Sequence, residues 1–91
     1  MYNFETTTKF DKQYEKMIRR GLDISKLDSV IQKLLNGEKL EPKYRDHDLG
    51  GNWKGHRECH IEPDWLLIYK KKEAIMVVSL YRTGTHSDLF K

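Results

Sequence analysis

The fold of this 91-residue chain is constrained most by one stripe of apolar side chains at helical spacing. The stripe consists of Leu27, Val30, Ile31, Leu34 and Leu35. Side chains at this spacing share one face of an α-helix, so the segment predicts an amphipathic helix whose apolar face is buried. Asp23 or Ser25 can cap the start of the helix, and the pair Asn36-Gly37 ends it.

Another helix is predicted before this one. Its apolar positions are Phe10, Tyr14, Met17 and Ile18, again at helical spacing. Thr8 and Asp11 have the spacing of a capping box at its start, and Gly21 suits the left-handed residue that follows a helix. Because the connection to the next helix is short, we expect the two helices to pack as a hairpin.

Four β-strands are predicted around the hairpin. They are expected at residues 2–6, 53–61, 65–69 and 75–81. The connections are expected to be a polar loop at 38–52, turns at 62–64 and 70–73, and a tail at 83–91. The order β-α-α-β-β-β predicts one α+β domain over residues 1–91. In it, the two-helix hairpin packs on one face of a small, mostly antiparallel sheet.

This architecture leaves the other face of the sheet uncovered. Alternation along the strand at 53–61 predicts that one of its faces carries Trp53, Arg57, Cys59 and Ile61. The opposite face is expected to carry Lys54, His56, Glu58 and His60. We expect a functional site on this polar face, beside the loop around His47 and the C-terminal tail.

Composition sets wide limits on function. The net charge of +3 and the pI near 9.0 permit a partner that carries phosphate without requiring one. The single Cys59 forms no internal disulfide, and no apolar stretch approaches the roughly 20 residues that cross a bilayer. The N-terminus lacks the apolar core of a signal peptide. We expect a cytoplasmic protein without a membrane partner.

The histidines point to a chemistry. All four lie in the second half of the chain, at His47, His56, His60 and His86. Cleavage of RNA through its 2′-hydroxyl needs a base, an acid and positive charge at the phosphate. Imidazole suits both proton transfers because its ordinary pKa of about 6.5 lies near neutral pH. Asp64 can orient a histidine, and Arg82 with Lys54 can supply the charge.

Aromatic residues near these histidines are candidates for base stacking. Phe90 or Trp65 can stack on a base, an interaction worth about 1–3 kcal/mol. Each candidate also has a structural interpretation. Trp53 and Trp65 are more typical of a core. Arg57 can belong to a structural ion pair, Phe90 can pin the tail to the sheet, and exposed histidines are common on small domains.

No metal ion or cofactor is expected. His56 and His60 are four residues apart, which is a chelating spacing on a helix. On a strand, at about 3.3 Å per residue, the two would lie about 13 Å apart. That separation is too great for one ion.

Three segments of the chain resemble a known family. They are Tyr44-Arg45-Asp46-His47-Asp48-Leu49, Gly51-Asn52-Trp53-Lys54-Gly55-His56-Arg57, and His60-Ile61-Glu62-Pro63-Asp64-Trp65-Leu66-Leu67-Ile68-Tyr69. A fourth, Arg82-Thr83-Gly84-Thr85-His86-Ser87-Asp88-Leu89-Phe90, is similar to the terminal motif of the same family. The chain closely resembles the YafQ toxins, a branch of the RelE-like mRNA interferases.

The resemblance implies a RelE-like fold and cleavage of mRNA in the ribosomal A site without a metal. It also implies a cognate antitoxin as a protein partner, besides the ribosome and the message. Motif by motif, it implies an active site of His47, His60, Asp64, His86 and Phe90, with Arg82 as a phosphate contact. His86 would be the general acid, while His47, His60 and Asp64 share the base and orienting roles. His56 stands where relatives can carry an aromatic residue and is left out of the catalytic set.

Two other functions fit the same fold class. A non-catalytic, ParE-like toxin would bind and block a protein target, and it would not need this set of histidines. A plain RNA-binding module would bind with strong salt dependence and never cut.

Overall fold

The computed structural model describes residues 1–90, and Lys91, the last residue of the predicted domain and tail, lies outside the described residues. The strands are β1 Asn3–Thr6, β2 His47–Asp48, β3 Arg57–Glu62, β4 Trp65–Lys72 and β5 Val77–Gly84. The helices are α1 Thr8–Arg19, α2 Ile24–Leu35 and α3 His86–Leu89. Short 3-10 turns lie at Pro42–Tyr44, Gly51–Trp53 and Glu73–Ile75.

The five strands form one sheet in the order β1-β5-β4-β3-β2. Only β1 and β5 run parallel, and the other three neighbouring pairs are antiparallel. The predicted α+β class and the mostly antiparallel sheet are confirmed. The predicted order omitted the short strand β2 and the helix α3, because each contains too few residues to show a periodicity.

The hairpin of α1 and α2 covers one face of the sheet, as predicted. Four of the five side chains of the α2 stripe are buried, and Ile31 packs against them from a partly exposed position. They pack with Cys59, Leu67 and Tyr69 from the sheet. Burying a side chain of this size stabilises the fold by about 1.5–3 kcal/mol, so the stripe holds the hairpin on the sheet.

The opposite face of the sheet is covered in part, which corrects the expectation of a bare face. Leu66, Ile68 and Leu89 form a second buried cluster there. Leu49, Trp53 and Tyr81 pack against it. The continuous apolar run of β4 places side chains on both faces of the sheet. The second face therefore needs its own cover, which α3 and the segment 49–56 supply.

Several predicted boundaries were wrong. The cap of α1 is Thr7, whose side chain accepts a hydrogen bond from the Phe10 amide, and it is not Thr8. Trp53 lies in a 3-10 turn and not in β3, since Gly55 has a positive φ of 92° that interrupts an extended strand. Trp53 also packs on the second face, opposite to the predicted side.

The last two strands are longer or later than predicted. β4 extends through the lysines to Lys72, and β5 begins at Val77 and continues to Gly84. Both strands extend beyond their apolar segments, because backbone hydrogen bonds hold their ends in the sheet whatever the polarity of the side chains. Each of the two long helices has 12 residues, about 18 Å at about 1.5 Å per residue. Among residues 1–90, no helix is long and apolar enough to cross a membrane.

Candidate active site

Three of the four histidines meet in a row on the second face of the sheet. His47 lies on β2, His60 on β3, and His86 begins α3. The ring centroids of His47 and His60 are 6.4 Å apart, and those of His60 and His86 are 5.9 Å apart. The convergence of these three imidazoles was expected from the sequence and is present in the structure. Their catalytic roles stay a prediction.

Sheet register explains why two of these histidines lie close together. His47 pairs with Glu58 across β2 and β3, so their side chains are neighbours on one face. His60 follows Glu58 by two residues on β3 and therefore points to the same face. A two-residue strand, β2, is thus enough to place His47 beside the histidine of β3.

Glu58 lies between two of the imidazoles, and the sequence did not single it out as a site residue. Its carboxylate Oε1 is 3.5 Å from His47 Nε2 and 3.6 Å from His60 Nε2, and the residue is 5% exposed. The carboxylate is therefore close enough to form an ion pair with either ring when that ring is protonated. The alternation along the strand already placed Glu58 and His60 on one face, and this could have drawn attention to Glu58. The contact with His47 depends on β2, and that strand is too short to be recognised in the sequence.

Backbone carbonyls hold both of these rings in one orientation. His47 Nδ1 lies 2.7 Å from the Arg45 carbonyl oxygen, and His60 Nδ1 lies 3.2 Å from that of Pro63. A carbonyl oxygen only accepts, so Nδ1 is the donor in each pair. The neutral rings therefore keep Nε2 as their basic nitrogen, and this nitrogen faces Glu58.

Asp64 orients the third histidine. Its Oδ1 accepts from the backbone N–H of His86 at 3.0 Å and from the ring Nδ1 at 2.7 Å. These two hydrogen bonds, the backbone one first, lower the pKa of the Asp64 carboxyl. The ring is exposed, and its Nε2 has no hydrogen-bond partner among residues 1–90. A ring held by a carboxylate at Nδ1 can give or take a proton at Nε2.

The short helix α3 presents His86, and Asp88 fixes its position. Thr85 and Asp88 form a capping box, with the Asp88 carboxylate accepting from the Thr85 amide at 2.9 Å. Arg20, which caps the C-terminus of α1, reaches Asp88 Oδ2 at 2.9 Å. This ion pair holds the pKa of the Asp88 carboxyl well below its ordinary range. The ion pair therefore attaches α3, and with it His86, to the C-terminal end of α1.

A structural network supports the loop that carries His47. Asp46 accepts from Tyr69 Oη at 2.6 Å and from Arg57 Nη2 at 3.0 Å. Arg57 also donates to Asp48, on the other side of His47. The Asp46 contact raises the pKa of Arg57, and burial together with Asp46 raises that of Tyr69. Arg57 is therefore the structural ion-pair residue that the sequence allowed.

The predicted RNA-contacting residues are placed very differently. Phe90 is half-exposed, with its ring centroid 6.4 Å from that of His86, so it can reach a base at the site. Arg82 is partly buried, and it donates to Gln13 at 3.1 Å and to the Asp88 carbonyl at 3.2 Å. Two of its five N–H donors are thus used within the protein.

The side chains of Lys54 and Trp65 form no hydrogen bond with the histidine row among the described residues. Lys54 is exposed after the turn Gly51–Trp53, and within residues 1–90 no hydrogen bond or ion pair joins it to a histidine. Trp65 is 2% exposed, packs on the helix side of the sheet, and donates its Nε1–H to Thr83 Oγ1 at 3.0 Å. The expectation that Trp65 stacks on a base was wrong, because both faces of its ring are covered.

His56 lies apart from the row. Its ring is packed edge-on between Trp53 and Tyr81, with centroid distances of 5.3 and 4.4 Å. Its Nε2 is buried and has no hydrogen-bond partner among residues 1–90. This is a packing position, which agrees with leaving His56 out of the catalytic set.

The described residues do not form a metal centre. Within residues 1–90, no three side chains of histidine, cysteine, aspartate or glutamate are arranged to hold one ion. What the row offers is proton transfer: two imidazoles around one carboxylate and a third on its own carboxylate. This arrangement suits general acid–base chemistry.

Comparison with known proteins identifies a family. The family described as bacterial toxin of type II toxin-antitoxin system, YafQ, matches residues 2–91. The chain is 38% identical over 89 residues to the mRNA interferase toxin YafQ of Escherichia coli K12, covering 97% of this chain and 95% of that relative.

Solved structures are similar over almost the full length. A metal-bound toxin from Helicobacter pylori has a TM-score of 0.92 and 42% identity, covering 99% of this chain and 100% of that one. A chain of the E. coli DinJ-YafQ complex has a TM-score of 0.91 and 37% identity, covering 100% of both. These structures confirm the RelE-like fold. The chain therefore belongs to the YafQ family of bacterial toxins of type II toxin–antitoxin systems.

Proposed function

We propose that this toxin is an endoribonuclease that cuts mRNA in the ribosomal A site by metal-independent general acid–base catalysis. The observation that carries the proposal is the row of His47, His60 and His86 with its two carboxylates. The name of the E. coli relative, mRNA interferase toxin, supports messenger RNA as the substrate.

The chemistry follows from the Nε2 atoms of the three rings. The Nε2 atom of His47 or His60 takes the proton of the 2′-hydroxyl, and the 2′-oxygen attacks the adjacent phosphorus. The bond to the 5′-oxygen breaks, and that oxygen takes a proton from Nε2 of protonated His86. The products are a 2′,3′-cyclic phosphate and a 5′-hydroxyl. Such proton transfers are worth about 10²–10⁴-fold in rate.

Each carboxylate has a separate part. Asp64 fixes the His86 ring and stabilises its positive charge, so that Nε2–H points at the leaving oxygen. Glu58 stabilises the imidazolium that forms when His47 or His60 accepts a proton. Asp64 is therefore assigned to orienting, and the two histidines of the strands share the base role.

No step of this proposal passes through a metal. The H. pylori relative was solved in a metal-bound form. The described part of the present chain offers no group of three ligands for one ion.

We also propose two partners. The ribosome would hold the message in line with the histidine row. Fixed orientation of the reacting groups lowers the activation free energy of such a reaction by a large amount. A cognate antitoxin would bind the toxin, by analogy with the E. coli DinJ-YafQ complex.

Mapping 5′ ends of a message tests the function. The toxin is incubated with translating ribosomes, and the same message is supplied free of ribosomes in parallel. We expect new 5′-hydroxyl ends within codons on the ribosome. A toxin that blocks a protein target, of the ParE-like kind, would leave the message intact and contradict the proposal. Equal cutting of free message would contradict ribosome dependence alone.

A further inference from the structure

A concavity adjoins the histidine row. It is an open cavity of about 480 Å³ between the first turns of α2, the turn Pro42–Tyr44 and the link from β3 to β4. We call it the basic pocket, and its polar rim includes Lys26, Ser29, Lys43, Arg45, His60 and Glu62. Cavities of about 300–1,000 Å³ hold small ligands, so one nucleotide fits the volume.

The charge of the basic pocket is positive. Its three cationic side chains face one carboxylate, Glu62, which pairs with Lys26 at 2.8 Å. Lys43 and Arg45 form no ion pair with any residue from 1 to 90, and Lys43 Nζ stands 5.1 Å from the Tyr44 ring centroid. Two cations without an ion-pair partner among residues 1–90, in a concave site, favour an anion.

The basic pocket is continuous with the histidine row. His60 belongs to both, and it stands between the other two imidazoles. The Arg45 carbonyl holds His47, and the Pro63 carbonyl holds His60. The segments that form the rim are thus the ones that position two of the rings, so a strand crossing the row can continue directly into the pocket.

We propose that the basic pocket binds the phosphodiester that neighbours the scissile one in the same RNA strand. Lys43 and Arg45 supply the charge, and Arg45 can contact two phosphate oxygens at once because its donors are planar. The Ser29 hydroxyl adds a donor at the rim. The inference rests on the proposed nuclease function and adds to it a site that positions the substrate.

A binding titration tests the pocket without any cleavage. The probe is a single-stranded RNA hexanucleotide with 2′-O-methyl groups, which lacks the attacking hydroxyl. Amide shifts of the isotope-labelled toxin are followed at several salt concentrations. We expect shifts at residues 43–45 and 60–62. In the double variant Lys43→Gln, Arg45→Gln, we expect about tenfold weaker binding and a salt slope smaller by about 0.7 for each phosphate that the variant no longer neutralises.

A matched control removes the same charge elsewhere. Lys9→Gln, Lys12→Gln eliminates two exposed lysines of α1 that neither line the pocket nor contact the histidines. We expect this variant to bind the hexanucleotide about as the parent does. If both double variants lost the same affinity, the loss would be due to net charge alone, and this would overturn the proposal.

Kinetics separates this inference from the proposed function. On translating ribosomes, the pocket variant should raise KM about tenfold with little change in kcat, as expected when an interaction that binds substrate and transition state equally is removed. If the parent toxin cuts no message, the proposed function fails, while the titration still decides the pocket. If the pocket variant binds the hexanucleotide normally but no longer binds its antitoxin, the pocket is a protein-binding surface and the inference fails.

Discussion

At the scale of single residues, His86 has one ring nitrogen that forms no hydrogen bond within the described part of the chain. Asp64 accepts from both its Nδ1 and its amide, so Nε2 alone is available to a substrate. The ring is more than half exposed and contributes little to the core. A proton donor with these properties can be removed without loss of the fold.

We therefore expect His86→Ala to reduce cleavage on the ribosome by about 10²–10⁴-fold. The melting temperature should stay close to that of the parent protein. Primer extension on the message measures the first quantity, and thermal unfolding the second. Normal cleavage by this variant would remove His86 from the mechanism.

Glu58 gives a second prediction at this scale. Glu58→Gln keeps the size of the side chain but removes the charge that faces His47 and His60. We expect cleavage to fall by about tenfold or more, equivalent to about 1.4 kcal/mol of transition-state stabilisation. Thermal unfolding serves as the control for folding. Unchanged cleavage in a folded variant would show that the buried carboxylate has no part in proton transfer.

The sequence supplied the residue types of the site more readily than their surroundings. The three clustered histidines and Asp64 were named from chemistry and family motifs. Glu58 was missed because its role depends on a partner across a two-residue strand. Trp65 was misplaced because an aromatic residue of a continuous apolar run gives no sign of which face it occupies, and it is buried against α1 and α2.

At the scale of elements, α3 depends on its close fit against β5. A Cβ atom added at Gly84 would lie 2.9 Å from the Asp88 Cβ, too close for an undisturbed α3. We expect Gly84→Ala to displace α3 and to reduce cleavage by about tenfold or more. Gly50→Ala is the control, since Gly50 has an ordinary φ of −114° and open space around it. Cleavage rates that match between the two variants would contradict the dependence on α3.

Asp88 makes the attachment of α3 depend on pH. Its pKa is lower in the folded protein than the ordinary value of about 3.9, chiefly because of Arg20. The stabilisation is therefore complete above that ordinary value and is lost as the pH falls through the lowered one. We expect Asp88→Asn to melt below the parent protein at pH 7, and the gap to narrow below about pH 4. Thermal unfolding across this range measures it, and a constant gap would contradict the ion pair.

The long elements could be predicted, and the short ones could not. Both helices of the hairpin follow from apolar periodicity, with errors of a residue or two at the caps. β2 and α3 have two and four residues, fewer than a period can reveal. These two short elements carry His47 and His86, so the sequence could not show how the site is assembled.

At the scale of the whole molecule, the proposed mechanism predicts a pH profile. The base must be neutral and the acid protonated, so the cleavage rate should fall at both low and high pH. For the second measurement, purified toxin is treated with EDTA and desalted, and it is then added to ribosomes that contain magnesium. We expect this treatment to leave the cleavage rate unchanged. A loss of activity that zinc or copper restores would contradict metal-independent catalysis.

The parallel pairing of β1 with β5 has a consequence for folding. Asn3 pairs with Val77, so the first strand finds its partner almost at the other end of the chain. Contacts between residues so far apart in sequence slow folding, because the entropy of closing a long loop is lost before the contact stabilises the chain. Pairing of β1 with β5 is therefore expected to be a slow step of folding, since it has to bring the two ends of the chain together.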